Sequence, residues 1–187
     1  LKGFGIEETE RTKLYRFIGP PLADSFRDFY GFTPEEARRG IKLYREYYKD
    51  RGIFENKVYE GMEEMLAELK RRGKTLVLAT SKPEYFARQI LEHFGLTRYF
   101  AYAAGATMDE TRVGKDEVIA YAMDCCNITD PAQVLMVGDR FHDVEGARAN
   151  GVDSLGVLYG YGSRQELSQA GADYLAETVE DILTIIK

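Results

Sequence analysis

The sequence is short of cysteine, of long apolar runs and of any basic excess. Its two cysteines, Cys125 and Cys126, are adjacent, so a bond between them is strained and no disulfide framework is available. That usage fits a reducing, cytoplasmic setting. No apolar run approaches the roughly 18 residues of a membrane span, and the N-terminal segment carries neither a basic leader nor a signal-peptide apolar block. Twenty-five Lys and Arg against 31 Asp and Glu leave a net charge of −6, which argues against a nucleic-acid polymer or an anionic membrane surface as the main partner. What is present is 187 residues, 44% hydrophobic and 30% charged, enough to bury a core in one domain with a small extra one.

Pattern divides the chain near residue 57, giving an expected helical segment over 1–57 and an α/β core over 58–187. In the first part, apolar and aromatic spacing predicts helices over 7–17, 22–30 and 34–51. The third has Thr33 as N-cap, Pro34 at the first helical position and Glu36 at the third, while Gly19-Pro20-Pro21 reads as a rigid turn. Beyond Val58 helices and short apolar strands alternate. Strands are predicted over 74–79, 99–104, 134–137, 154–158 and 174–176, with helices over 61–72, 83–94, 115–126, 143–150 and from 179. Non-alternating apolar strands separated by helices imply a Rossmann-like, doubly wound parallel sheet covered on both faces. In such sheets ligands sit beyond the carboxyl ends of the strands.

Those ends carry the candidate chemistry. The first strand runs into Thr80-Ser81-Lys82-Pro83-Glu84, where a hydroxyl and backbone amides at a helix start make an anion site; equally, Ser81-x-x-Glu84 is a capping box that any helix can use. The third strand runs into Gly138-Asp139-Arg140-Phe141-His142-Asp143. Two carboxylates four apart, straddling a strand end and a helix start, can converge on Mg²⁺, which takes few carboxylates and keeps water or phosphate oxygens. The bland alternative is that Asp139 caps the helix and Asp143 complements its dipole. Lys115 opens a helix, where a cation opposes the dipole; it suits neutralisation of a phosphate, or it is simply solvated. His93 and His142 have no partners at metal-ligand spacing and read as structural or surface groups.

A hydroxyl after one strand, a lysine before a later helix and Gly-Asp-Arg-x-x-Asp after the next strand resemble motifs two, three and four of the haloacid dehalogenase superfamily. The helical start through Phe17-Ile18-Gly19-Pro20-Pro21-Leu22 looks like the cap of its phosphoglycolate phosphatase and 5′-nucleotidase-like branch. The resemblance implies a Mg²⁺-dependent phosphomonoesterase acting on a small phosphorylated metabolite through an aspartyl-phosphate. By position, it implies that Thr80 and the Ser81 amide hold phosphate oxygens and that Lys115 offsets charge and orients the nucleophile. It further implies that Asp139 ligates Mg²⁺, that Asp143 ligates it or orders its waters, and that Gly19, Pro20 and Pro21 lie over the site when the cap closes.

One family feature is missing. The nucleophile belongs to an apolar strand ending in Asp-x-Asp-x-Thr, and no Asp-x-Asp follows any apolar run in this sequence; Asp24 and Asp28 fall in predicted helices and Asp109 in a loop. The family's motif-one strand lies between those ending at Ala79 and Val137, so the expectation is a further segment of roughly 25 to 30 residues, strand plus helix. Two other readings follow from the same residues. One is a noncatalytic binding protein that keeps the phosphate and metal groups. The other is a phosphomutase, for which Lys13, Arg16, Lys42 and Arg45 offer no dedicated second phosphate site. A response-regulator receiver shares the Asp, Thr and Lys set, but its acidic pair comes first in the chain.

Overall fold

Local signals set the N-terminal helices of the computed structural model, which describes residues 1–187 apart from the Arg11 side chain. Helix α1 (Leu22–Tyr30) stops at Gly31, whose left-handed φ of 67° lets its amide reach the carbonyls of Arg27 and Phe26. Helix α2 (Pro34–Tyr48) starts on a full capping box, Thr33 Oγ1 accepting from the Glu36 amide at 3.3 Å and Glu36 accepting from the Thr33 amide at 2.8 Å. The two helices bury Phe26, Phe32, Ala37 and Ile41 against Phe4 and Phe17, with the Phe26 and Phe32 rings stacked at 5.2 Å. The helix expected over 7–17 is instead a 3-10 helix over Arg11–Phe17. Glu10, at its N-cap, supplies no side-chain bond and none of residues 12–17 is buried, so neither cap nor core supports an α-helix there.

The chain divides into two compact units, Leu1–Asn56 and Lys57–Lys187. The second opens with α3 (Met62–Arg71) and then alternates: β1 (Val77–Pro83), α4 (Glu84–His93), β2 (Tyr102–Ala106), α5 (Lys115–Cys125), β3 (Leu135–Gly138), α6 (Phe141–Ala149), β4 (Asp153–Val157), α7 (Arg164–Ala170), β5 (Tyr174–Ala176) and α8 (Asp181–Ile185). All pairings are parallel, as alternation with helices requires. Neighbouring β2 residues show how both faces are covered. Ala103 joins Leu66, Leu69, Leu91, Leu155, Val157 and Ile182 in one apolar cluster, whereas Ala104 packs with Val118 and Ala122 of α5 in another. That is the period-two alternation of a strand buried on both sides.

The sheet is not continuous. The strands form a pair, β1-β2, and a triplet, β3-β4-β5, in two separate ladders. Residues Ala103–Ala106 and Ser154–Val157 are buried, but β1 is half-buried along its whole length and Val137 of β3 is 36% exposed. Strand boundaries also move. A 3-10 turn over Thr97–Tyr99 delays β2, and β1 continues past Ala79 through a register shift between Thr80 and Pro83. Among the described residues no helix is long and apolar enough to cross a membrane, and both cysteines are free.

The β4–β5 connection carries a testable contact. Asp173 Oδ2 accepts from the Ser154 amide at 2.8 Å and from Ser154 Oγ at 2.9 Å, and these bonds hold its carboxyl below the usual carboxylate range. With the folded pKa below the unfolded value of about 3.9, this contribution is complete above that value and is lost as pH falls through the folded pKa. Asp173→Asn is therefore expected to lower Tm near neutral pH by a few degrees, about 1 kcal/mol after allowing for the exposure of Asp173. Melts of both proteins should converge in strong acid; a gap that persists there overturns the assignment.

Candidate active site

The second unit brings Lys115, Asp139 and Asp143 together beside the carboxyl end of β1. Asp143 is the third residue of α6, and its Oδ2 accepts from the Asp139 and Arg140 amides at 3.0 Å each. It therefore does the capping that sequence reasoning offered to Asp139 as an alternative. The helix starts two residues earlier than expected, with Arg140 as its N-cap. Gly138 is required by this turn, because a Cβ there would overlap the Asp143 carboxyl.

Freed from capping, Asp139 presents its side chain to a different element. Its Oδ2 accepts from the Tyr161 amide at 2.7 Å, in the loop after β4. Burial pushes the Asp139 carboxyl above the usual range, the Tyr161 amide opposes that shift, and the Asp143 charge adds to it. Lys115 is not solvated. Its Nζ lies 2.8 Å from Asp143 Oδ1 and donates to the Ala79 carbonyl at 3.2 Å, with the two side chains 12% and 9% exposed. One ammonium thus ties Ala79 of β1 to the start of α6.

Thr80 stands next to that Ala79 carbonyl, and its Oγ1 accepts from the Lys82 amide at 3.2 Å. The capping box expected between Ser81 and Glu84 does not form. Helix α4 begins at Glu84 behind Pro83, with no side-chain cap, so Ser81 lies in the shifted end of β1. Glu84 turns instead to Arg88 at 2.8 Å and Arg112 at 3.7 Å. Gly19, Pro20 and Pro21 belong to the other unit, where they lead into α1.

The other acids and the histidines have local roles. Asp24 and Asp28 each pair with Arg27 at 2.8 Å, and Asp109 accepts from the Thr111 hydroxyl at 2.8 Å. His93 packs edge-on to Phe94. The His142 ring lies tilted against Phe141, and burial holds its imidazole below the usual range. Among the described residues no group of three or more His, Cys, Asp or Glu could hold a metal, so any cation here rests on the two aspartates and smaller ligands. A cavity of about 390 Å³ lies between α6 and α7, lined by Phe141, Glu145, Ser163 and Glu166 among others, but not by Thr80, Lys115 or either aspartate.

Sequence reasoning missed Tyr161, Glu166 and the whole of α7. Tyr161 acts through its amide, for which residue type gives no signal. Helix α7 did have one, because Ser163-x-x-Glu166 is a capping signature.

Residues 1–157 match the family described as haloacid dehalogenase-like hydrolase. The chain is 43% identical to a 5′-nucleotidase of Pseudomonas aeruginosa over 89% of its own length and 75% of the relative's. It is 39% identical to the tyrosine-protein kinase PtkA of Mycobacterium tuberculosis over 98% of its length, spanning 60% of that protein. The crystal structure of a predicted phosphatase from Clostridium acetobutylicum superposes with a TM-score of 0.96 at 45% identity, covering 99% of this chain and 85% of the other. The chain belongs to the haloacid dehalogenase-like hydrolase family and stands among its phosphatases.

Proposed function

We propose that this protein is a Mg²⁺-dependent phosphomonoesterase acting on a small phosphorylated metabolite. The observation that carries the reading is the Lys115 ammonium held between the Ala79 carbonyl and Asp143. It sets a positive charge against Asp143 and beside the segment of β1 that carries Thr80. Mg²⁺ fits Asp139 and Asp143, since it needs one or two carboxylates and completes its shell with water and phosphate oxygens. Asp143 is matched by Lys115, while Asp139 is held by a neutral amide and destabilised by burial; its ionised form is the one a cation relieves most. Bound there, the ion would neutralise charge developing on the transferring phosphoryl group.

The chain's own residues do the rest of the binding. Thr80 offers a hydroxyl to a phosphate oxygen, with the Ser81 amide beside it. Lys115 offsets phosphate charge while orienting the carboxylates, and Asp143 fixes the loop that carries Asp139. We infer that the attacking carboxylate comes from an Asp-x-Asp strand seated between β1 and β3. Support comes from the split sheet, the half-buried length of β1 and the exposure of Val137, because strands in a doubly wound sheet are ordinarily paired and covered. An intact mass near 21.3 kDa for a natural protein that melts cooperatively overturns that inference.

Phosphate release from p-nitrophenyl phosphate by the full-length protein tests the activity. Turnover should require Mg²⁺, stop on chelation and return on re-addition. Failure with an Asp-x-Asp strand in place favours a noncatalytic binding role. The 43% identity to a 5′-nucleotidase puts nucleoside monophosphates first in a substrate panel, followed by phosphoglycolate and sugar phosphates. A second reading, transfer of the phosphoryl group to a tyrosine hydroxyl instead of water, is favoured by the 39% identity to a tyrosine-protein kinase. ATP consumed with phosphate retained on protein, and not freed, distinguishes it.

A further inference from the structure

Glu166 stands at the third position of α7, where the acid of a capping box ordinarily turns back on its own N-cap. Half of that motif is present, since Ser163 Oγ accepts from the Glu166 amide at 3.1 Å. The carboxylate goes elsewhere. Its Oε1 accepts from Arg140 Nε at 2.8 Å and from the Phe141 amide at 3.0 Å, both at the start of α6. Asp143 covers the amides of Asp139 and Arg140, and Glu166 covers the next one. Two carboxylates from different helices therefore satisfy three successive N–H groups, which leaves the Asp139 side chain outside the cap.

The loop that leads into α7 meets Asp139 directly. Tyr161 donates to its Oδ2, and Gly162 passes so close to its carbonyl oxygen that a Cβ would overlap it. Charge gives the arrangement its consequence. Arg140 already acts on Asp139 electrostatically, favouring its ionised form, and its side chain is 15% exposed against 25% for Glu166. Loss of Glu166 takes away the carboxylate that neutralises this guanidinium and strengthens its competition with a cation for Asp139.

We propose that Glu166 is a positioning residue for the Asp139–Asp143 pair, holding Arg140 off Asp139 and fixing the first turn of α6 without touching metal or substrate. The inference rests on the Mg²⁺ reading above. Outer partners of metal ligands typically change affinity by about 10- to 100-fold.

Calorimetric titration of the full-length protein with Mg²⁺ alone tests this without an activity assay. Glu166→Ala should weaken binding about 10-fold, and the double variant Arg140→Ala with Glu166→Ala should recover most of that loss. Arg164→Ala, which breaks the exposed Arg164–Glu177 pair on the same helix, should bind as wild type does. If Glu166→Ala does not fold, Glu166→Gln keeps an oxygen for the Phe141 amide, loses the charge facing Arg140 and should weaken binding several-fold. Wild-type affinity in the Glu166 variants overturns the inference while leaving the Mg²⁺ reading intact. So does an equal loss in Arg164→Ala, or a loss that the double variant does not relieve. A wild-type protein that binds no Mg²⁺ overturns both.

Discussion

Lys115→Met is expected to remove nearly all phosphate release and a large share of the stability at once. The ammonium is the charge partner of a carboxylate that is itself almost wholly buried. Methionine fills much of the same volume but leaves Asp143 without compensation, and breaking a buried pair from one side costs about 3 to 5 kcal/mol. For a chain of this size that corresponds to a fall in Tm of roughly 10 °C. Turnover should fall about 10²- to 10³-fold, the effect of removing one preorganised group that stabilises developing charge. Thermal melts at neutral pH and a phosphate-release assay read the two effects separately. Adding Asp143→Asn to Lys115→Met should restore part of the stability, since no lone charge is then buried, and none of the turnover. Equal melting of wild type and Lys115→Met sinks the buried-pair account.

The opposite sign is expected at Asp139. Asp139→Asn keeps an oxygen to accept from the Tyr161 amide, and removes a carboxylate whose ionised form is opposed by burial and by Asp143. In metal-free buffer its Tm should equal or exceed that of wild type, as is common when a strained functional group is relieved. Phosphate release should nevertheless drop about 10²- to 10³-fold, and Mg²⁺ should no longer raise the melting temperature as it does when it binds only the folded state. A variant that melts well below wild type, with turnover reduced only in proportion to the folded fraction, makes Asp139 a structural residue and removes the cation site. The two substitutions thus separate the two acids: one holds the fold together through Lys115, the other is held in place against its own preference.

Much of this was legible before the structure. The capping box at Thr33 is a short-range signal, and it forms as read. Apart from α7, the order of strands and helices beyond Val58 follows from apolar blocks whose length distinguishes strand from helix. What sequence could not give were decisions taken between distant segments. Ser81-x-x-Glu84 reads as a cap, yet Glu84 faces Arg88 and Arg112 and the helix opens on Glu84 itself. Asp139 reads as the cap and Asp143 as the complement to the helix dipole, yet which one caps depends on where α6 begins and on an amide 22 residues away. The segment over 7–17 has helical spacing but neither cap nor buried face, and spacing alone does not hold an α-helix. Glu166 was hidden for the converse reason: its local motif is satisfied by half, and its carboxylate serves another helix.

The two ladders of the second unit have a mechanical consequence. Within each, parallel strands are locked by backbone hydrogen bonds that resist shear. Between them the connections are made by side chains, the apolar layer that joins Ala103 to Leu155 and Val157 on one face and the Lys115–Asp143 pair near the strand ends. The unit is therefore stiff along each ladder and compliant across the line that separates them. Since Lys115 straddles that line, any force that widens it acts first on the distance between the ammonium and Asp143. A strand added there would stiffen the molecule in the one direction along which its charged groups are otherwise free to drift apart.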